Sequence, residues 1–364
     1  MPILRNSPLH RLLAALAAST ALLGTAQSVW AQLGLPDQIV EESPLTDDHK
    51  TETNKFIESN KGGLTGKPDA IRRARGALGA PLQNPKASVD FRQLYSDQLV
   101  PVLRPLIADP SDVVAINALT LAGQIGTKQA LDLAEQGLAD KRPSVRVAAA
   151  FAYRSAFNAA RRGLPALSAN QATSLLTTLQ RKLAVEADPM VQDAMIQAIA
   201  AVTEIPAVVL PGVSSAAVKA LAESSGDLAR RGGNGTTPYG ALSKAGKTLF
   251  DLLSNPSAAI PNEALVSIGG YSGDVIALAK RRLAAGPLDA DERSSLALIV
   301  GQATQSYFLS HQRLGAGTPV ALRLDDLITK KQDAQFTPEA DKLIGKDGAL
   351  TKAPFNLPPD RFAK

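Results

Sequence analysis

Leu106 to Gly126 reads LIADPSDVVAINALTLAGQIG, and Leu138 to Ala152 reads LADKRPSVRVAAAFA. In both stretches an apolar run meets an Asp-containing turn with Pro, and a second apolar run follows at helical spacing. Val113, Val114, Ile116, Ala118, Leu119, Ala122 and Ile125 follow the 3.6-residue period of an amphipathic helix. Gly126 supplies a stop for it. Pro143 opens the second helix of the other stretch, where a missing N–H and a fixed φ cost nothing.

Working outward, the same unit recurs. Phe91, Leu94, Leu99, Val102, Leu103 and Leu106 predict a helix that Pro101 and Pro105 kink. Thr127 caps a helix carrying Ala130, Leu131, Ala134 and Leu138. Ser168 and Gln171 form a capping box ahead of Leu175, Leu176, Leu179 and Leu183, and Asp188-Pro189 turns into a helix with Val191, Ala194, Ile196 and Ile199. Two looser units follow. The first is Ser243–Leu253, the turn Asn255-Pro256-Ser257 and a short helix Asn262–Ile268 stopped by Gly269-Gly270. The second is Asp274–Ala285, a break at Gly286-Pro287 and a long helix to about Leu314, capped by Asp289 or Asp291. The turn prolines at 110, 143, 189 and 256 lie 33, 46 and 67 residues apart, the wide gap holding an extra helix (214–223) and a glycine-rich loop (226–240). Helical hairpins at such a period predict an all-α solenoid of about five irregular hairpins, each burying its apolar face on its neighbours. Only Ala207–Leu210 reads as strand, and it is too short to carry a sheet.

Asp109, Pro110, Val114, Ala118, Leu119, Gly123 and Gly126, with Asp140, Pro143, Val145, Arg146, Ala148 and Ala149, resemble the HEAT-repeat pattern, and Asp188, Pro189, Val191 and Ala194 give a fainter copy. The resemblance covers residues 88–204 well and 241–314 weakly. It implies an armadillo-like α-solenoid with a protein-binding surface. Ala115 and Gln192 stand where the pattern has the Arg that Arg146 supplies, so a regular Asp–Arg ladder is in doubt.

The ends of the chain differ from this array. Arg5, His10 and Arg11, the apolar run Leu12–Gly24 and Val29-Trp30-Ala31 make the three-part layout of a secretory signal peptide over residues 1–31, which places the protein in the periplasm or outside the cell. Thirteen residues do not span a bilayer core, which takes about 20, so no transmembrane segment is expected after cleavage. The chain carries 39 basic and 34 acidic residues; removing Arg5 and Arg11 lowers its charge from +5 to +3 and removes Trp30, the one Trp. Residues 32–87 read as a low-order charged tether, or a segment laid against the main body, with one or two short helices such as 46–59 and with seven acids against Lys50 and Lys55 over 37–58. Residues 88–314 form the repeat domain, and 315–364 read as short helices and a disordered, Pro-containing tail.

Chemistry is sparse. With no Cys there is no thiol nucleophile, iron–sulfur cluster or disulfide. Mature His49 and His311 read as solvated and do not make a three-ligand zinc site. Gly246-Lys247-Thr248 lacks the spacing and the preceding strand of a phosphate loop, and Gly270-Tyr271-Ser272-Gly273 reads as a turn with Ser272 or Asp274 as cap, not a nucleophile elbow. Asp289-x-Asp291-Glu292 lacks a calcium loop. So few aromatics argue against a single-stranded nucleic-acid platform. No catalytic, cofactor or metal residue is expected.

The positive feature is Arg146, Arg154, Asn158, Arg161 and Arg162, at near i, i+4 steps on one face of a helix with no acid. It is either a solvated face or a surface for an anionic protein or peptide, for which the acidic segment 37–58 is one candidate. The expectation is a non-catalytic exported scaffold; the alternatives are a structural part of an envelope assembly or an enzyme with a carboxylate site.

Overall fold

In the computed structural model, residues 34–164, 166–232, 237–315 and 317–363 are described; residues 1–31, expected from the sequence to be a signal peptide, lie outside them. The described residues are helical, without strand, and the chain divides into two compact units at Val102/Leu103.

The first unit holds α1 (Asp37–Glu41), α2 (Asp47–Lys61), α3 (Pro68–Gly79) and the start of α4 (Val89–Ile107). The segment expected to be low-order beyond a short helix at 46–59 is therefore helical over most of its length from residue 37. The physical reason is a modest but well-spaced apolar set: Thr53, Phe56 and Ile57 on α2 and Ile71, Ala74 and Leu78 on α3 are buried, each set at steps of three and four. The acids that suggested disorder sit on outer faces and pair with their own lysines, Asp47 with Lys50 and Glu58 with Lys61. The Tyr95 hydroxyl donates to the Leu78 carbonyl at 2.7 Å, and the Ser88 amide to Val40 at 2.9 Å, fastening α4 to the segment before it.

The second unit continues with α5 (Asp112–Ile125), α6 (Lys128–Gly137), α7 (Pro143–Arg161), α8 (Ala169–Leu183), α9 (Pro189–Thr203), α10 (Val213–Arg231), α11 (Tyr239–Ser254), α12 (Asn262–Ala284), α13 (Ala290–Arg313), α14 (Leu324–Thr329) and α15 (Asp333–Ile344). Two series emerge: α5, α7, α9, α11 and α13 each pack on the next, and α8, α10, α12 and α15 do likewise, with α8–α9, α9–α10, α10–α11 and α12–α13 contacts between the series. One local device recurs at the turns. Asp109, Asp140, Asp188 and Asn255 each accept the amide two residues on, at 2.8, 2.8, 2.9 and 3.1 Å. Thr127 accepts the Ala130 amide, and Ser168 and Gln171 form the reciprocal capping box. At Gly123, α5 comes so near α7 that an added Cβ would lie 2.6 Å from the Ala152 Cα.

The glycines of α12 and α10 play the opposite part from the one expected. Gly269, Gly270 and Gly273 lie inside the continuous helix α12, and Gly226 lies inside α10 rather than in a loop. Their missing side chains make room for the C-terminal segment: Phe355 seats on Gly269, Phe362 on Gly273 and the Arg361 guanidinium on Gly270. Residues 345–363 are thus a docked strap with Leu350, Phe355, Leu357 and Phe362 buried, not a disordered tail. Asp274, fully buried, receives Arg361 at 2.6 Å and Arg230 at 2.5 Å, while Ser272 donates to the Ile268 carbonyl; neither caps a helix.

Candidate partner-binding face on α7

α7 buries Val145, Ala149, Tyr153, Phe157 and Ala160 against its neighbours, which turns Arg146, Phe151, Arg154, Ser155, Asn158, Arg161 and Arg162 outward. The five residues expected to form one stripe do share this side, but they divide by what they touch.

Arg146 is committed to the fold. Its Nε and Nη2 donate to the Glu186 carboxylate at 2.8 and 3.0 Å, and its Nη1 to the Asp140 and Lys141 carbonyls. Its side chain is 17% exposed and that of Glu186 8%. Glu186 also accepts the amides of Ala187 and Asp188, so the carboxylate joins α7 to the turn that starts α9. Arg161 donates to Glu204 at 2.8 Å, but both side chains are nearly half exposed. Arg154 gives one bond, at 2.6 Å, to the neutral amide of Gln197, which itself donates to Asp193. Arg162 is exposed and Asn158 half-buried, and neither has a side-chain hydrogen bond or ion pair among the described residues. A concavity of about 370 Å³ lies between Phe151, Arg154, Ser155, Asn158 and Arg162, and Phe151 is 45% exposed beside it.

The sequence reading missed the partners that answer these cations, because it sought them on the same helix. They come one repeat later. Arg146–Glu186, Arg154–Gln197, Arg161–Glu204, Lys219–Glu263 and Arg230–Asp274 are separated by 40, 43, 43, 44 and 44 residues. The 46-residue step between Pro143 and Pro189 carried that information. A second set of arginines caps helix ends in neighbouring hairpins. Arg231 donates to the Leu183 carbonyl, Arg281 to Ala229 and Arg313 to Asn255 and Ala258, all near helix C-termini where carbonyls lack partners. Arg142 holds Asp140 and the Ile107 and Asp109 carbonyls, and this guanidinium pulls the Asp140 carboxyl below its ordinary value of 3.8.

The remaining motifs resolve structurally. Lys247 lies on the exposed side of α11 and pairs with Asp251, and Asp289 caps α13 through the Glu292 amide. Glu292 takes Arg282 in a bidentate pair. His311, expected to be solvated, is buried against Tyr307 and Phe355. Burial raises the Asp274 carboxyl against the pull of Arg361 and Arg230. Among the described residues no three His, Asp or Glu side chains gather as a metal site, and no helix is long and apolar enough to cross a membrane.

No family model matches the chain, and no curated protein matches it. One solved structure similar to it is described as the crystal structure of an engineered protein, a target of the Northeast Structural Genomics Consortium. It matches 69% of this chain and 97% of its own at 15% identity, with a TM-score of 0.37.

Proposed function

We propose that this chain is a non-catalytic helical-repeat scaffold of the HEAT-like solenoid kind, exported to the periplasm or beyond, that binds an anionic protein or peptide segment through α7. The carrying observation is the concavity at Phe151, Arg154, Asn158 and Arg162. Its cations keep donors to spare, because the nearby acids Glu186 and Glu204 are already taken by Arg146 and Arg161. Stacked helical hairpins support the solenoid reading, since each offers one helix face to a common surface. The binding set is accordingly narrower than the original stripe: Arg154, Asn158 and Arg162 bind, while Arg146 and Arg161 brace.

The test is affinity capture from envelope extracts with the mature chain and with R154E/R162E. Recovery of an acidic partner by the wild type, weakened by salt and lost in the variant with an unchanged melting temperature, is expected. Equal capture by both would make the face an ordinary solvated one. For export, intact mass should place the mature start at Gln32, and excitation near 295 nm should then give no tryptophan emission, Trp30 having been removed.

A further inference from the structure

The series that contains α7 bears a second concavity. Between α11 and α13, beneath residues 320–325, lies a groove of about 460 Å³ walled by Phe250, Phe308, Leu309 and Leu322, with Gln305 and Arg323 at its edge. Its four apolar walls are only half-buried. α7, α9, α11 and α13 pack one on the next, and α9, α11 and α13 each also rest on a helix of the other series. What they leave exposed is the side away from that second series, where both concavities open.

The ground between them is hydrogen-bonded within itself. On α9 the outward Gln197 and Asp193 bond to each other, and on α11 the outward Lys247 and Asp251 do the same. Lys247 and Asp251 match in charge, whereas Asp193 is held only by the neutral amide of Gln197, so the stretch carries a carboxylate without a cationic partner among the described residues. Helices packed at about 8–10 Å put the second concavity, two to three helices away, roughly 20–30 Å from the first. An extended chain advances about 3.3 Å per residue, so roughly six to nine residues bridge them.

We propose that the α7 face and the α11–α13 groove are the two ends of one docking track. Its occupant is an extended peptide segment with carboxylate side chains at one end and an aromatic or large aliphatic side chain six to nine residues away. The inference rests on α7 taking an anionic segment. The acidic end meets Arg154 and Arg162, the only unmatched charge of the α7 concavity, and the apolar end fills the cleft lined by the two phenylalanines. The middle of the segment crosses Asp193 and the Lys247–Asp251 pair, and is therefore uncharged and polar.

The experiment uses the full mature chain and three fluorescein-labelled peptides read by anisotropy. One has two Glu at one end and Phe at the other, separated by seven Gly and Ser residues, made in both chain directions. The others carry the Glu end alone or the Phe end alone. Tethering two ends raises avidity without new contacts, so one direction of the two-ended peptide should bind at least about 10-fold tighter than either half. L322S, on the exposed rim segment, should reduce it to the level of the Glu half, with F308A as a second variant and melting temperature as the fold check. R154E/R162E should reduce it to the level of the Phe half and flatten its salt dependence. If the two-ended peptide binds no tighter than the Glu half while R154E/R162E abolishes both, the track is wrong and the anionic face stands. If the Glu half is indifferent to R154E/R162E, the anionic face falls, and the track falls with it.

Discussion

Gly123 shows how much a single hydrogen can specify. A methyl group there would enter the backbone of α7 at Ala152, which has no flexible end to swing aside. Gly123→Ala should therefore cost about 1–3 kcal/mol or more, as overpacking does, measured by urea denaturation; a neutral result would mean that α5 and α7 stand further apart than described. Asp140 carries the pH prediction. Its folded pKa is depressed by Arg142, so its contribution is complete above the unfolded value and is lost as pH falls through the depressed one. The stability difference between wild type and D140N should be largest above about pH 4 and shrink toward pH 2. Turn and cap residues such as Asp109, Thr127, Ser168 and Asp188 were legible because their bonds reach only two or three positions along the chain. Gly269 and Gly273 were not. A glycine that ends a helix and a glycine that admits a distant Phe ring look alike until the ring's position is known.

At the scale of helices, burial separates two ion pairs that the sequence presents as equals. Arg146→Ala should cost about 2–3 kcal/mol, because it strips a mostly buried carboxylate of a bidentate, charge-assisted partner. Arg161→Ala should cost about 0–1 kcal/mol, the usual worth of an exposed pair. Similar losses from the two would sink the division of α7 into bracing and binding residues. The hairpins were readable in sequence since apolar periodicity and Asp-containing turns are local. The cross-repeat pairs were hidden because they join residues 40–44 apart, and only the repeat length connects them. The same limit explains the first unit: α2 and α3 each hold a short apolar stripe that looks too weak to fold until Tyr95 is seen tying α4 to α3 and Ser88 tying its start to α1.

For the molecule as a whole, the strap is the least local feature, and its bond to Asp274 is the most exacting. Arg361→Ala leaves a fully buried carboxylate with Arg230 alone and should lower stability by about 3 kcal/mol; an unchanged denaturation midpoint would show that the strap is ornamental. The pairing also sets an order of events. Arg361 follows Asp274 by 87 residues, which at synthesis rates of about 5–20 residues per second is roughly 4–17 s, whereas helices form within about a microsecond. Whether it leaves a ribosome or a translocation pore, the chain presents α10 and α12 long before the residue that completes their charge balance. During that interval the glycine channel on α12 stands open. A nascent chain stalled short of Leu350 should be cut by protease within α12 and one extended past Phe362 spared, so the strap acts as a checkpoint on the maturation of the array.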